Sequence, residues 1–137
     1  AAGWRLMLLS MLRDFGVRAI LPSPSLAPRA LRLLCSHRFV RSARGGHIPG
    51  AISLDWLHFK DARGRLRPRA ELLEILSQHG VDSQCDITAY CQSHVRSSYA
   101  YLMLKYLGYP QVRGYPGAWS EWGNVDDTPV RTPSDPA

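Results

Sequence analysis

The sequence predicts an α/β fold built on a mostly parallel sheet. From residue 45 onward, short apolar segments typical of strands alternate with segments typical of helices, and this alternation favours a parallel sheet. Both longer predicted helices end at a glycine, Gly80 and Gly108. The 137 residues, 45% apolar and 20% charged, are enough for one domain with a single core.

The N-terminal 44 residues give the weakest signals. Apolar residues over 3–15 predict a short helix, residues 17–21 suit a strand, and residues 22–28 are a proline-rich linker. Residues 31–40 show no clear period. Three interpretations of segment 1–44 stay open: divergent first strands of the sheet, the remnant of a preceding repeat, or a targeting segment.

The remaining elements are predicted with sharper boundaries. The strongest helix covers residues 68–79, because proline suits a first helical turn and Gly80 suits a helix end. The other predicted elements, in order, are a turn and strand within 47–54, a strand at 86–90, a helix at 97–107, a strand at 112–115 and a short helix at 118–122. We therefore place one domain over residues 45–130 and expect a disordered tail over 131–137.

Charge and cysteine content limit the classes of function. Residues 1–44 carry eight arginines and one acidic residue, whereas residues 45–137 carry nine basic and ten acidic residues, so the predicted domain lacks a nucleic-acid-binding charge pattern. The sequence contains no apolar run long enough to span a bilayer. Three cysteines are too few and too odd in number for a disulfide framework, which favours a reducing compartment such as the cytoplasm. An organelle matrix is the alternative, because the arginine-rich, acid-poor segment 1–44 resembles a transit sequence.

The segment that carries the chemistry runs from Ile87 to Tyr101 and has Cys91 at the end of its predicted strand. A strand that turns directly into a helix points loop N–H groups and the positive end of the helix dipole at one place, and Arg96 adds a full charge there. A thiol in that position is stabilised as the nucleophilic thiolate, so we predict Cys91 as the catalytic residue. The predicted substrate-binding residues are Gln92, Ser93, His94, Val95 and Arg96, with Arg96 as an anion ligand and Gln92, Ser93 and Val95 contributing mainly backbone amides.

Each of these assignments has a structural alternative. Cys91 could end a buried strand as a small apolar residue, and Arg96 could form a surface ion pair. His94 could be an acid–base group, an anion donor or a solvent-facing loop residue, and Ser97 could cap the helix. The five histidines show no paired metal-ligand spacing, so no metal site is predicted.

The aromatic residues outside this loop are interpreted mainly as packing residues. Trp119 and Trp122 lie three residues apart on a predicted short helix and are expected to pack against the sheet. Trp56 borders the active-site mouth in one interpretation and is buried in the other.

Three motifs resemble the rhodanese family, and most closely the catalytic C-terminal domain of bacterial thiosulfate sulfurtransferases. They are GGHIPGAISLDW (45–56), ITAYCQSHVRSSYAYLMLKYLGY (87–109) and VRGYPGAWSEWGNVDDTPV (112–130), in the order and spacing of the family. The resemblance implies a rhodanese-like sheet of about five strands flanked by helices on both faces, with the active cysteine opening a C-x4-R loop. The sequence departs from the family pattern at 34–41, where an Asp-x-Arg strand end is usual and no acidic residue is present.

The resemblance also implies a reaction. Cys91 would take the outer sulfur of thiosulfate as a persulfide, with no resident cofactor, and pass it to cyanide or a thiol acceptor. Arg96 would hold the sulfite end of the donor. A second rhodanese repeat is a possible further partner, because the segment from Leu6 faintly repeats the segment from Leu102.

Two other classes of function stay open. A cysteine phosphatase or arsenate reductase of related fold would use a similar cradle, but such sites generally have five residues between cysteine and arginine, and here there are four. A non-catalytic rhodanese-like binding module would fit the altered segment 34–41, whereas the presence of both Cys91 and Arg96 speaks against it.

Overall fold

The computed structural model of the chain describes residues 31–35 and 42–132. Four strands lie in this part, namely β1 (Leu31–Cys35), β2 (Ala51–Ser53), β3 (Asp86–Tyr90) and β4 (Val112–Gly114). The helices there are a 3-10 helix (Trp56–Phe59), α1 (Arg69–Gln78), α2 (Val95–Tyr106) and α3 (Ala118–Trp122). None of the described helices is long and apolar enough to cross a membrane.

The strands form one sheet in the order β2-β1-β3-β4, and every described pairing is parallel. The register places Cys35 beside Tyr90 and Ala89 beside Gly114. The predicted α/β class with a mostly parallel sheet is confirmed. The described residues supply four strands, so the fifth stays a prediction.

Helices cover both faces of the sheet. Consecutive strand residues point to opposite faces, and Leu34 and Cys35 accordingly belong to two different apolar clusters. The first cluster contains Leu72 and Leu76 of α1 together with Ala100, Met103 and Leu104 of α2. The second cluster contains Tyr90 and Tyr115 with Trp119 and Trp122 of α3.

The two tryptophans of α3 are core residues, as predicted. Trp119 and Trp122 are 0% and 1% exposed, and their indole nitrogens donate to the backbone oxygens of Arg44 (3.0 Å) and Pro129 (2.8 Å). Arg44 in turn donates to the backbone oxygens of Trp122 (2.9 Å) and Thr128 (2.8 Å). These bonds tie the chain before the Gly-His-Ile-Pro motif to the segment that follows α3.

The sheet begins upstream of the predicted domain start at residue 45. Strand β1 lies within segment 1–44 and pairs with both β2 and β3, so this part of the segment belongs to the sheet. The three interpretations of segment 1–44 as a whole stay predictions. The predicted helix 3–15, strand 17–21 and linker 22–28, and most of the tail 131–137, lie outside the described residues.

The predicted boundaries of most other elements are confirmed. Strand β3 and helix α1 match the predictions, with Pro68 at the N-cap of α1 and Gly80 following it at φ +68°. Helix α2 begins at Val95, two residues before the predicted start at Ser97. The loop after Cys91 is therefore shorter than predicted, and Arg96 already lies in the first turn of the helix.

Candidate active site

Cys91 lies at the junction between β3 and the loop that leads into α2. Residues 92–94 turn the chain, and His94 adopts the left-handed backbone conformation (φ 62°, ψ −1°) immediately before the helix. The carbonyl oxygens of Cys91 and Gln92 accept hydrogen bonds from the backbone N–H groups of Trp119 and Ser120, both at 2.9 Å. Because the carbonyls are held by α3, the N–H groups of the loop are free to face the thiol.

The thiol lies in a cradle of hydrogen-bond donors. Burial of Cys91, which is 1% exposed, raises the pKa of its thiol, whereas hydrogen bonds from the Ser97 hydroxyl and from the backbone N–H groups of Ser97, Ser93 and Arg96 lower it. The hydrogen bonds outweigh burial, so the pKa of Cys91 lies below its ordinary value. A lowered pKa favours the thiolate, which is the nucleophilic form of cysteine. The catalytic role of Cys91 stays a prediction at this point.

Ser97 is the one side-chain donor among the groups that lower this pKa, whereas the sequence allowed it to be a helix cap. That alternative does not hold, because the N-cap of α2 is His94 and Ser97 is buried at 1% exposure, where its hydroxyl bonds to Cys91. A neutral hydroxyl that donates to a thiolate supports the charged form preferentially.

Replacing Ser97 by alanine is expected to raise the pKa of Cys91 and shift its reactivity to higher pH. Since only the thiolate reacts, the alkylation rate should fall by about tenfold or more at pH values below the midpoint of the wild-type pH–rate curve. This is the usual effect of losing a hydrogen bond to a charged group. The measurement is the rate of Cys91 alkylation by iodoacetamide as a function of pH. Ser97→Thr keeps the hydroxyl and is the matched control; an unchanged midpoint in Ser97→Ala would contradict the cradle.

Arg96 contributes to the cradle through its backbone N–H. The prediction that its charge also stabilises the thiolate stays a prediction. The half-buried Arg96 side chain lines an open groove beside the loop, together with Trp56, Val95, Ser98, Tyr99 and Leu102. The role of Arg96 as an anion ligand in this groove stays a prediction.

A second positive charge, that of Lys60, lies over two aromatic residues of the groove. Trp56 and Tyr99 meet edge to face, with ring centroids 5.7 Å apart. The Lys60 ammonium lies 4.2 Å from the Trp56 centroid and 5.1 Å from that of Tyr99. The groove is thus lined by aromatic and apolar side chains and by Arg96, and Lys60 lies over two of its aromatic rings. These two cations suit an anion. Trp56 lines this groove, and its place at the active-site mouth stays a prediction.

The other predicted binding residues have separate roles. Ser93 supplies a backbone amide to Cys91, as predicted. Gln92 uses its side chain, donating to the hydroxyl oxygens of Ser42 and Ser120 (3.2 Å each), and so ties the loop to neighbouring segments. Val95 is 74% exposed and its side chain lines the groove.

The side chain of His94 lies between Ser97 and strand β4. It is therefore not the solvent-facing loop residue that was one of the alternatives left open by the sequence. Its Nδ1 lies 2.7 Å from Ser97 Oγ, and its other edge packs on Gly114 of β4. Burial lowers the pKa of His94, which favours the neutral ring. The geometry brings His94 to Ser97; contact with a substrate stays a prediction.

The remaining cysteines differ from Cys91. Cys35 and Cys85 are buried free thiols, and Cys85 Sγ lies 3.5 Å from Asp82 Oδ1 and 3.9 Å from the oxygen of Gly80. Among residues 31–35 and 42–132, no group of three His, Cys, Asp or Glu side chains is arranged to hold a metal ion. The hydrogen bonds of Cys85 to Asp82 and Gly80 thus differ in kind from the amide and hydroxyl donors around Cys91.

Comparison with known proteins identifies relatives of this strand–loop–helix. The chain is 47% identical over 91 residues to a thiosulfate sulfurtransferase of Pseudomonas aeruginosa and 46% identical over 91 residues to one of Azotobacter vinelandii. It is 40% identical over 88 residues to a sulfur carrier protein of Thermus thermophilus, covering 64% of this chain and 31% of that protein. The first two alignments each cover 66% of this chain and 34% of the relative, so the chain spans about a third of the length of these curated relatives.

Solved structures support the fold. The anaerobic ergothioneine biosynthesis enzyme from Chlorobium limicola, in complex with trimethyl histidine, superimposes with a TM-score of 0.69 at 24% identity, covering 77% of this chain and 29% of that one. A variant of EanB in complex with hercynine gives a TM-score of 0.69 at 23% identity, covering 77% of this chain and 28% of that one. At this identity the likeness concerns the fold alone.

A family model for the rhodanese-like domain matches residues 36–124, which include the Gly-His-Ile-Pro motif, the Cys91 loop and helix α3. This match covers more than half of the chain and agrees with the parallel sheet and the position of the cysteine. The chain therefore belongs to the rhodanese family.

Proposed function

We propose that this chain is a thiosulfate sulfurtransferase that carries sulfur on Cys91. The observation that supports this most is the donor cradle around the thiol, in which three backbone N–H groups and the Ser97 hydroxyl converge on one sulfur atom. A cradle of this kind favours the thiolate and also suits the charged outer sulfur of a persulfide. The names of the curated relatives from Pseudomonas and Azotobacter point to the same activity.

The proposed reaction has two transfers. In the first, the Cys91 thiolate attacks the outer sulfur of thiosulfate, the sulfur–sulfur bond of the donor breaks, and sulfite leaves with the bonding electrons. In the second, cyanide or a thiolate attacks the outer sulfur of the Cys91 persulfide, and the cysteine leaves again as a thiolate. The cysteine is a covalent carrier throughout, so the proposed reaction uses no resident cofactor.

The groove beside the loop supports an anionic donor. Thiosulfate carries two negative charges, and the groove holds Arg96 on its wall and Lys60 over its aromatic rings. Arg96 would bind the sulfite end through charge-assisted hydrogen bonds, while the outer sulfur enters the cradle of Cys91.

Arg96→Ala is expected to raise the KM for thiosulfate by about tenfold, the usual effect of losing one hydrogen bond to a charged group. Because the backbone N–H of position 96 stays in the cradle, kcat should fall less than kcat/KM. Steady-state kinetics with varied thiosulfate measure both. Arg63→Ala, which removes an exposed arginine away from the groove, is the matched control. An unchanged KM in Arg96→Ala would indicate that the arginine has a structural role and does not bind thiosulfate.

The direct test of the proposed activity is thiocyanate formation from thiosulfate and cyanide by the purified chain, beside hydrolysis of a phosphate-ester substrate. Thiocyanate production without ester hydrolysis is expected. Ester hydrolysis alone would indicate a cysteine phosphatase, and binding of thiosulfate without turnover would indicate a binding module. A second rhodanese repeat as partner stays a prediction.

We also propose a reducing location, the cytoplasm. The three cysteines are free thiols in the described part of the chain, and the proposed carrier must be reduced to react. An organelle matrix is equally reducing and remains the alternative.

A further inference from the structure

His94 lies at a contact between the active-site loop and strand β4. Its Nδ1 is 2.7 Å from Ser97 Oγ. A Cβ built on Gly114 would lie 2.3 Å from His94 Nε2 and 2.4 Å from Cε1, so the ring fits only because position 114 has no side chain. The ring is therefore held in one place by β4 and by the first turn of α2.

The positions of the protons on Cys91, Ser97 and His94 can be assigned by counting hydrogen-bond donors. Ser97 has one hydroxyl proton, and its hydroxyl donates to the sulfur of Cys91, which as a thiolate can only accept. The oxygen of Ser97 must then act as the acceptor toward His94, so His94 Nδ1 carries a proton. In the neutral ring this leaves Nε2 unprotonated, on the edge that faces Gly114.

We propose that His94 is a positioning residue whose Nδ1–H donates to Ser97 Oγ and so directs the Ser97 hydroxyl proton onto Cys91. Without this donor the hydroxyl can rotate and give its proton to another acceptor; with it, the three groups form a chain of hydrogen bonds that polarise one another. The proposal rests on Cys91 being the working thiol of the proposed function. It replaces the prediction that His94 binds the substrate.

The groups around these hydrogen bonds are compatible with the proposed positions of the protons. Cys91 accepts from the backbone N–H groups of Ser93, Arg96 and Ser97, which are neutral donors. On the other side, the ring of His94 meets Gly114, which carries no side chain. Burial also lowers the pKa of His94, which keeps the ring neutral with a single proton to place.

The backbone of His94 guides the choice of variants. At φ 62° most side chains are strained, but glycine is not, and asparagine tolerates this conformation well. His94→Gly removes the ring without adding strain. His94→Asn keeps a side-chain N–H close to the position of Nδ1 and is the conservative variant. Gly114→Ala leaves His94 in the sequence but pushes its ring away from Ser97.

The test measures the pH midpoint of Cys91 alkylation by iodoacetamide, followed on the peptide that contains Cys91. We expect His94→Gly and Gly114→Ala to shift the midpoint to higher pH, with the rate below the wild-type midpoint reduced by about fivefold, the usual effect of one neutral hydrogen bond. His94→Asn should restore most of the wild-type midpoint. A residue that only shapes the loop would not produce this pattern.

A double-mutant cycle separates the positioning role from a structural one. In the Ser97→Ala background, His94→Gly is expected to cause no further shift, because the effect of His94 passes through the missing hydroxyl. An equal shift in both backgrounds, or an unchanged midpoint in His94→Gly, would overturn the proposal. If Gly114→Ala does not fold, the His94 variants decide alone.

This readout does not depend on sulfur transfer. If the chain forms no persulfide but the midpoints shift as described, the proposed function fails and the positioning role stands. If the persulfide forms and the midpoints do not move, only the role of His94 is refuted.

Discussion

Replacing Cys91 by alanine is expected to reduce thiocyanate formation by about a thousandfold or more, as the loss of a catalytic nucleophile generally does. The alanine variant keeps the amide cradle and the groove but has no atom on which the sulfur can be carried. The remaining rate should equal that of thiosulfate and cyanide without protein. The measurement is the initial rate of thiocyanate formation at saturating thiosulfate.

Cys85→Ala is the matched control for the loss of Cys91. Both residues are buried cysteines at opposite ends of the same strand region, but Cys85 bonds to Asp82 and Gly80 and has no amide cradle. Its replacement is expected to leave kcat/KM unchanged and to cost about 1 kcal/mol of stability, as loss of a small buried group does. Substantial activity in Cys91→Ala would contradict the proposed mechanism.

Replacing Trp119 by alanine is expected to destabilise the domain by about 3–5 kcal/mol, the range for removing a buried aromatic side chain. Trp119 is fully buried in the second cluster, and its indole nitrogen donates to Arg44. Since a domain is stable by only about 5–15 kcal/mol in total, the loss should leave a large unfolded fraction under mild conditions. Urea unfolding followed by circular dichroism measures the change.

Trp119→Phe separates packing from hydrogen bonding at this position. The variant keeps an aromatic ring and the backbone N–H that donates to Cys91, but it loses the indole N–H that donates to Arg44. We expect a smaller loss of about 1–2 kcal/mol, from one hydrogen bond and part of the ring volume. A stability loss in Trp119→Ala no greater than in Trp119→Phe would contradict the assignment of Trp119 to the core.

The sequence was most informative where proline and glycine mark the ends of elements. Helix α1 lies between Pro68 and Gly80, and both residues have a backbone reason to be there, so its bounds could be predicted. The bounds of strand β1 could not be predicted in this way. It lies inside the sheet between β2 and β3, and Leu34 and Cys35 are both buried although they point to opposite faces. A strand buried on both faces has no alternation of apolar and polar residues, which is why residues 31–35 showed no period.

The candidate site was predictable in its backbone and much less so in its side chains. The order of strand, Cys91, loop and helix follows from local sequence, and it implies amides that face the thiol. The direction of His94 depends on its left-handed backbone and on Gly114, which lies in another strand. The contribution of Trp56 depends likewise on its contact with Tyr99 of α2. Such contacts between distant segments have no signature in the sequence of the loop.

The most direct test of the account is to locate the transferred sulfur. The chain is treated with thiosulfate without an acceptor, alkylated and digested before mass spectrometry. Cleavage before Asp86 or after Tyr90 is required, because trypsin leaves Cys85 and Cys91 on one peptide. We predict one extra sulfur atom on the peptide that contains Cys91, and its loss as thiocyanate when cyanide is added before alkylation. Sulfur on the peptide of Cys35 or Cys85, with none on Cys91, would contradict the account.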